Sequence, residues 1–202
     1  TMWKIVTLGT SHGDPTRERY NVSTLLEAPN GNSYLIDAGT PVLASMIRGG
    51  FDLRKLQAVF ITHMHEDHFG GVPDLLKFQC KRLPAGSHTS FYFPEEEAIC
   101  GMRSFFALSH RPIYEHLTSL HSYQAGSFFA DDLLNIEAIP TDHFSNEGLS
   151  FPSYALKFTF DGKTVLFTGD LAKDFHDFPQ NIPANLAFCE LTHYSLEKAL
   201  QT

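Results

Sequence analysis

The stretch Ala58-Val59-Phe60-Ile61-Thr62-His63-Met64-His65-Glu66-Asp67-His68-Phe69-Gly70-Gly71 constrains the fold more than any other part of the chain. An apolar run suited to a buried strand delivers five ligating or ionisable side chains within six residues and then leaves through two glycines. Side chains alternate along an extended chain, so His63 and His65 emerge on one side with Cα atoms roughly 6–7 Å apart. That spacing suits a single zinc ion. Asp67 and His68 follow as the chain turns toward a helix, face a neighbouring point and can serve a second metal. Gly70 and Gly71 permit the tight turn. Burying so many ionisable groups without a cation is costly, which sets a metal site above a solvated polar loop.

Around this stretch the chain reads as a mixture of strands and helices. Trp3–Leu8, Val22–Ala28 and Ser33–Asp37 form a meander, the last two joined by the Asn-Gly chemistry of Pro29-Asn30-Gly31-Asn32. Helices are expected at Pro41–Arg48, from Gly70 to Phe78, from Pro94 to Ser109, and from Ser195 to Leu200. Further strands are expected at Leu56–Thr62, Thr89–Phe93, Leu133–Ile139, Tyr154–Phe160, Thr164–Thr168 and Asn185–Leu191. Ile113–Gln124 fits neither pattern cleanly. Mostly antiparallel strands bury one face each, so two packed sheets with helices outside are predicted. The 202 residues contain no long Pro, Gly or Ser linker, and a single α+β domain over residues 1–202 is expected.

Other motifs fall in a recognisable order. His63, His65, Asp67 and His68 match the HxHxDH signature of the metallo-β-lactamase superfamily, which the chain resembles over nearly its whole length. The resemblance implies a four-layer αββα sandwich. It implies that Asp37, at the end of Tyr34-Leu35-Ile36-Asp37, supports the metal loop. By the same resemblance His143, in Pro140-Thr141-Asp142-His143, joins His63 and His65 on one metal. Asp170, after Val165-Leu166-Phe167-Thr168-Gly169, bridges to a second metal held with Asp67 and His68. Leu8-Gly9-Thr10, Asp14-Pro15-Thr16 and Gly70-Gly71-Val72-Pro73 are similar to ribonuclease Z and its small phosphodiesterase relatives. Glu190, on Ala187-Phe188-Cys189-Glu190, resembles the Glu that positions a proton-donating histidine in that branch, which makes Glu190 and His193 a candidate pair for protonating the leaving group. The family's pattern continues with another helix, a strand and a last histidine for the second metal. The expectation is therefore a fold short of its last elements, with His193 the alternative ligand.

The implied chemistry is hydrolysis by a metal-bridging hydroxide, since coordination lowers the pKa of water from ~15.7 toward ~7, with Asp67 orienting it. Two divalent ions are expected, zinc foremost, with manganese or iron as alternatives. A phosphodiester-type substrate is the leading reading. A lactone, thioester or other acyl substrate is a second, and a metal-binding module without turnover a third. The net charge of −8, with Glu95, Glu96 and Glu97 between His68 and His143 where ribonuclease Z carries a basic arm, favours a small-molecule diester over tRNA. Cys80, Cys100 and Cys189 form no CxxC pair, and neither a secretory signal nor an apolar span of eighteen residues is present, so a reduced, cytoplasmic protein without membrane partners is expected. The aromatic stretches at Phe91–Phe93, Phe105-Phe106 and Phe128-Phe129 serve the core first, with a homodimer interface as their other use.

Overall fold

The computed structural model describes residues 2–201. The chain divides into two compact units, the first ending at Ser122 and the second beginning at Tyr123.

In the first unit β1 (Lys4–Gly9), β2 (Ser23–Glu27) and β3 (Ser33–Ile36) pair antiparallel, as the meander predicts. The β2–β3 turn closes through Ala28 N–H to Asn32 O at 2.8 Å and Gly31 N–H to Ala28 O at 2.9 Å, with Gly31 at φ 86°. From β3 onward the pattern changes. β4 (Leu56–Phe60), β5 (Thr89–Phe93) and β6 (Thr118–Ser122) each pair parallel with the strand before, giving the order β1-β2-β3-β4-β5-β6. The expectation of mostly antiparallel strands is thus corrected for this unit. Parallel neighbours need crossovers, and α1 (Val42–Arg48), α3 (Val72–Arg82) and α4 (Glu96–Leu108) supply them. Val42 and Met46 of α1, Leu75 and Leu76 of α3, and Ile99, Met102 and Phe106 of α4 bury one core with Leu35, Val59, Phe91 and Phe93.

The helix expected from Gly70 to Phe78 is α3, which starts at Val72 and runs on to Arg82, and an unexpected four-residue α2 (Glu66–Phe69) precedes it. Pro73 has no N–H to continue α2 but suits the first turn of a new helix. Glu96 and Glu97 occupy the first turn of α4, where their charge meets the positive end of the helix dipole.

The second unit holds β7 (Gly126–Ala130), β8 (Asn135–Pro140), β9 (Tyr154–Phe160), β10 (Lys163–Phe167) and β11 (Leu186–Phe188), in the order β11-β10-β9-β8-β7. All neighbours pair antiparallel except β10 and β11. The β9–β10 turn uses Asp161 at φ 48° and Gly162 at φ 66°, the paired left-handed residues that a tight hairpin demands. The final strand is shorter than Asn185–Leu191, because beyond Phe188 the chain turns and Glu190 accepts the Leu171, Thr192 and His193 N–H groups at 2.7, 3.0 and 3.1 Å. Phe128 stacks on Tyr123 with centroids 4.1 Å apart, and Phe167 stacks on Phe188 at 5.0 Å. A short α5 (Leu196–Leu200) follows. The three cysteines are all free thiols. Among the described residues no helix is long and apolar enough to cross a membrane.

Candidate metal centre

In the first unit the strand end of β3 organises the loop after β4. Asp37 is buried with φ 56°, a left-handed conformation an aspartate tolerates better than most residues. Its carboxylate accepts the Thr62 N–H at 2.8 Å, the Thr62 hydroxyl at 2.9 Å and the His68 Nδ1–H at 2.7 Å. That last bond fixes the His68 tautomer and leaves Nε2, 3.4 Å from Asp67 Oδ2, as the nitrogen with the lone pair. The Thr62 hydroxyl commits its proton to Asp37, so His63 Nδ1–H is the donor in the 3.1 Å contact with Thr62 Oγ1. His63 Nε2 then faces His65 Nδ1 at 3.2 Å. The His63 ring also lies 4.1 Å from that of His68, so His63 groups with His68 as closely as with His65.

Backbone geometry locks this loop. Ala38 N–H donates to His68 O at 2.6 Å, and Gly71 N–H to Ala38 O at 2.8 Å. A Cβ built on Gly39 would stand 2.1 Å from Asp67 O, so only glycine allows the loop to lie against β3's exit.

The second unit gathers its own set. His143 opens the 3₁₀ turn His143–Glu147, is buried, and donates Nδ1–H to Leu171 O at 3.2 Å, which points Nε2 toward Asp170 Oδ2 at 3.7 Å. Asp170 follows β10 immediately after Gly169, whose φ is 59°. His193 donates Nδ1–H to Glu190 Oε1 at 2.7 Å, and its ring lies 4.9 Å from that of His143. Hydrogen bonding by Glu190 holds His193 above the usual histidine range, outweighing the opposing effect of burial. His143, Asp170 and His193 each offer a ligand atom within 4.8 Å of the others.

The Glu190–His193 contact expected from the sequence is therefore present. Two residues that sequence reasoning passed over brace the same loops. Asn146 donates Nδ2–H to Leu171 O at 3.0 Å and accepts the Lys173 N–H at 2.8 Å. Asp177 accepts the Asp142 N–H at 2.7 Å and the Ala172 N–H at 3.1 Å, tying the turn that carries His143 to the loop that carries Asp170. Neither lies in a motif, and no local signal marks them.

The donor set suits divalent metal. His68, His143 and His193 each commit Nδ1–H to a carboxylate or carbonyl and present Nε2, the arrangement by which oriented imidazoles ligate transition ions. Two His/Asp clusters of this kind are consistent with a pair of divalent ions, and the imidazole and carboxylate mixture accepts zinc.

The sequence matches the family described as anti-Pycsar protein Apyc1 over residues 3–188. It is 30% identical over 162 residues to a ribonuclease Z from Halalkalibacterium halodurans, covering 77% of this chain and 48% of that protein. It is also 30% identical over 148 residues to a ribonuclease BN from Salmonella paratyphi B, covering 69% of this chain and 46% of that protein. The chain thus spans about half the length of these curated relatives. Among solved structures, the short form of human tRNase Z superposes with a TM-score of 0.70 at 19% identity, over 86% of this chain and 72% of that one. A diphosphatase of the PhnP family superposes with a TM-score of 0.68 at 17% identity, over 98% of this chain and 81% of that one. These superpositions establish a shared mixed α/β fold of two sheets with helices. On the family match, supported by the motif order and the fold, the chain belongs to the anti-Pycsar protein Apyc1 family and lies within the metallo-β-lactamase superfamily.

Proposed function

We propose that the chain is a metal-dependent hydrolase of a small phosphodiester-type substrate, a single domain working in the cytoplasm with its sheets and helices in the four αββα layers of the superfamily. The observation that carries this reading is the presetting of His68 and His143, each anchored through Nδ1 so that Nε2 is offered to a cation. By the family's motif order His63, His65 and His143 hold one ion, and Asp67, His68 and Asp170 the other. When bound, the divalent pair supplies a water acidic enough to attack near neutral pH and neutralises charge on the substrate's phosphoryl oxygens.

The chain's own groups do the rest. Asp37 keeps His68 in its ligating tautomer and closes the loop through Thr62. Glu190 favours a protonated His193, whose Nε2–H can pass to the oxygen of the departing group. Asp67, largely buried beside His68, is the carboxylate that can orient the attacking water. The negative run at Glu95–Glu97, where Glu96 and Glu97 are exposed, supports a small diester over a long polyanion such as tRNA.

The test is turnover of bis(p-nitrophenyl) phosphate against thioester and lactone panels by zinc-loaded protein. Metal-dependent hydrolysis of the diester is expected, and turnover confined to the acyl compounds would overturn the substrate class. One tightly held metal per chain with no turnover of any ester would instead mark a binding module. In a leaving-group series, Glu190→Gln should lower kcat by about 10²–10⁴-fold for alkyl leaving groups and much less for p-nitrophenolate, which departs without a proton.

A further inference from the structure

Away from the ligand clusters, the parallel pair β5–β6 carries a row of polar side chains on the face opposite its core. Phe91 and Phe93 point into the core, so Ser90 and Tyr92 point the other way, and the register pairs Ser90 with Ser119 and Tyr92 with His121. His88, two residues before Ser90, continues the row. His88 Nε2 lies 2.9 Å and His121 Nε2 2.8 Å from the same atom, Ser119 Oγ, which is also 3.0 Å from Ser90 Oγ. Two exposed imidazoles from neighbouring strands therefore aim their Nε2 atoms at one point.

We propose that His88 and His121 form an additional site for a divalent transition-metal ion of the imidazole-preferring kind, with the Ser119 hydroxyl beside it and water in the remaining positions. Three observations carry this. His88 directs Nδ1 at His116 O, 3.4 Å away, which turns its Nε2 toward the shared point, the way backbone carbonyls orient metal-ligating histidines. His121 is held in place by stacking on Tyr92, with centroids 4.8 Å apart and planes at 21°, and Tyr92 in turn stacks on Phe60 at 5.3 Å. A ring already fixed loses little freedom on binding. Finally, partial burial and the neighbouring His88 keep His121 below the ordinary histidine range, so that at neutral pH it is an unprotonated donor. Imidazole nitrogens favour zinc, nickel and copper over magnesium or calcium, which prefer oxygen.

Bound there, the ion clips the edge strand β6 to the start of β5. The site stands on different residues from the hydrolase centre, so it survives or fails independently of that reading. Zinc content of the full chain, dialysed at buffered free Zn²⁺, should exceed that of His88→Gln and of His121→Gln by one equivalent. Diesterase activity should be unchanged in both. Equal metal content in all three proteins overturns the proposal. A second measurement needs no variant. Ni²⁺ added to the zinc-loaded, ¹⁵N-labelled protein should broaden amide signals of residues 88–90 and 119–121 at concentrations that leave those of Gly39 and Asp67 sharp. Broadening that spares both strands overturns it equally.

Discussion

Asp37 concentrates more of the centre's order than any ligand. Its carboxylate serves two donors of Thr62 and one of His68 while almost wholly removed from water. Asp37→Ala leaves the Thr62 N–H and the His68 Nδ1–H buried without an acceptor, and losing hydrogen bonds to a charged group costs about 1.5–3 kcal/mol each. Urea denaturation should show a loss of that order or greater, together with fewer metal equivalents per chain. A normal metal content in this variant would show that the ligands orient themselves without it. A second residue-scale expectation concerns His176, whose pKa is raised by its hydrogen bonds to Asp174 first and Asp142 second. A raised folded pKa means that the pairing stabilises fully below the unfolded value of about 6.5 and that this contribution is lost as pH rises through the folded value. The residue is exposed, so the effect on stability is small, and the readout is its NMR titration. His176 should titrate above the ordinary histidine range and return toward it in Asp174→Asn.

At the scale of elements, the metal loop depends on the absence of a side chain. Gly39→Ala would force a Cβ within 2.1 Å of the Asp67 carbonyl oxygen, backbone against backbone, so the loop must move. Reduced metal affinity and a lower thermal midpoint are expected, and an unchanged midpoint would show that the loop yields at no cost. The β9–β10 hairpin offers a milder case. Gly162 sits at φ 66° with open space around its Cα, so Gly162→Ala should cost only about 1–2 kcal/mol through backbone strain, measured by denaturant unfolding. The elements also show where sequence is readable. The apolar run into His63-Met64-His65, the Asn30-Gly31 and Asp161-Gly162 turns and the carboxylates closing strands are local patterns, and each appears where the sequence puts it. Strand direction is not local: a helix between two strands does not by itself say which neighbours they pair with, and the parallel order of β3 to β6 appears only once their partners are known. Asn146 and Asp177 are invisible for the same reason, since Asp177 meets Asp142 across 35 residues and nothing near either position announces it.

For the whole molecule, metal and stability are coupled. An ion that binds the folded chain and not the unfolded one stabilises it by mass action, about 2.7 kcal/mol at a hundredfold excess over Kd. Chelation should therefore lower the thermal midpoint and zinc restore it, a shift readable by calorimetry without any substrate. No change on chelation would argue that the clusters hold no structural or catalytic ion. The last strand adds a kinetic side. Among the described residues β11 has three paired positions and a neighbour on one side only, and two of its three residues are open to solvent. Elements with so few bonds open by local fluctuation well before the rest of a domain, and the chain from Phe188 to His193 leaves directly from it. Amides of Leu186 to Phe188 should thus exchange with solvent far faster than those of β9. The proposed proton donor is anchored to a part of the molecule that comes undone first, so on warming, turnover of substrates with poor leaving groups should fade while the β9–β8 ladder is still intact.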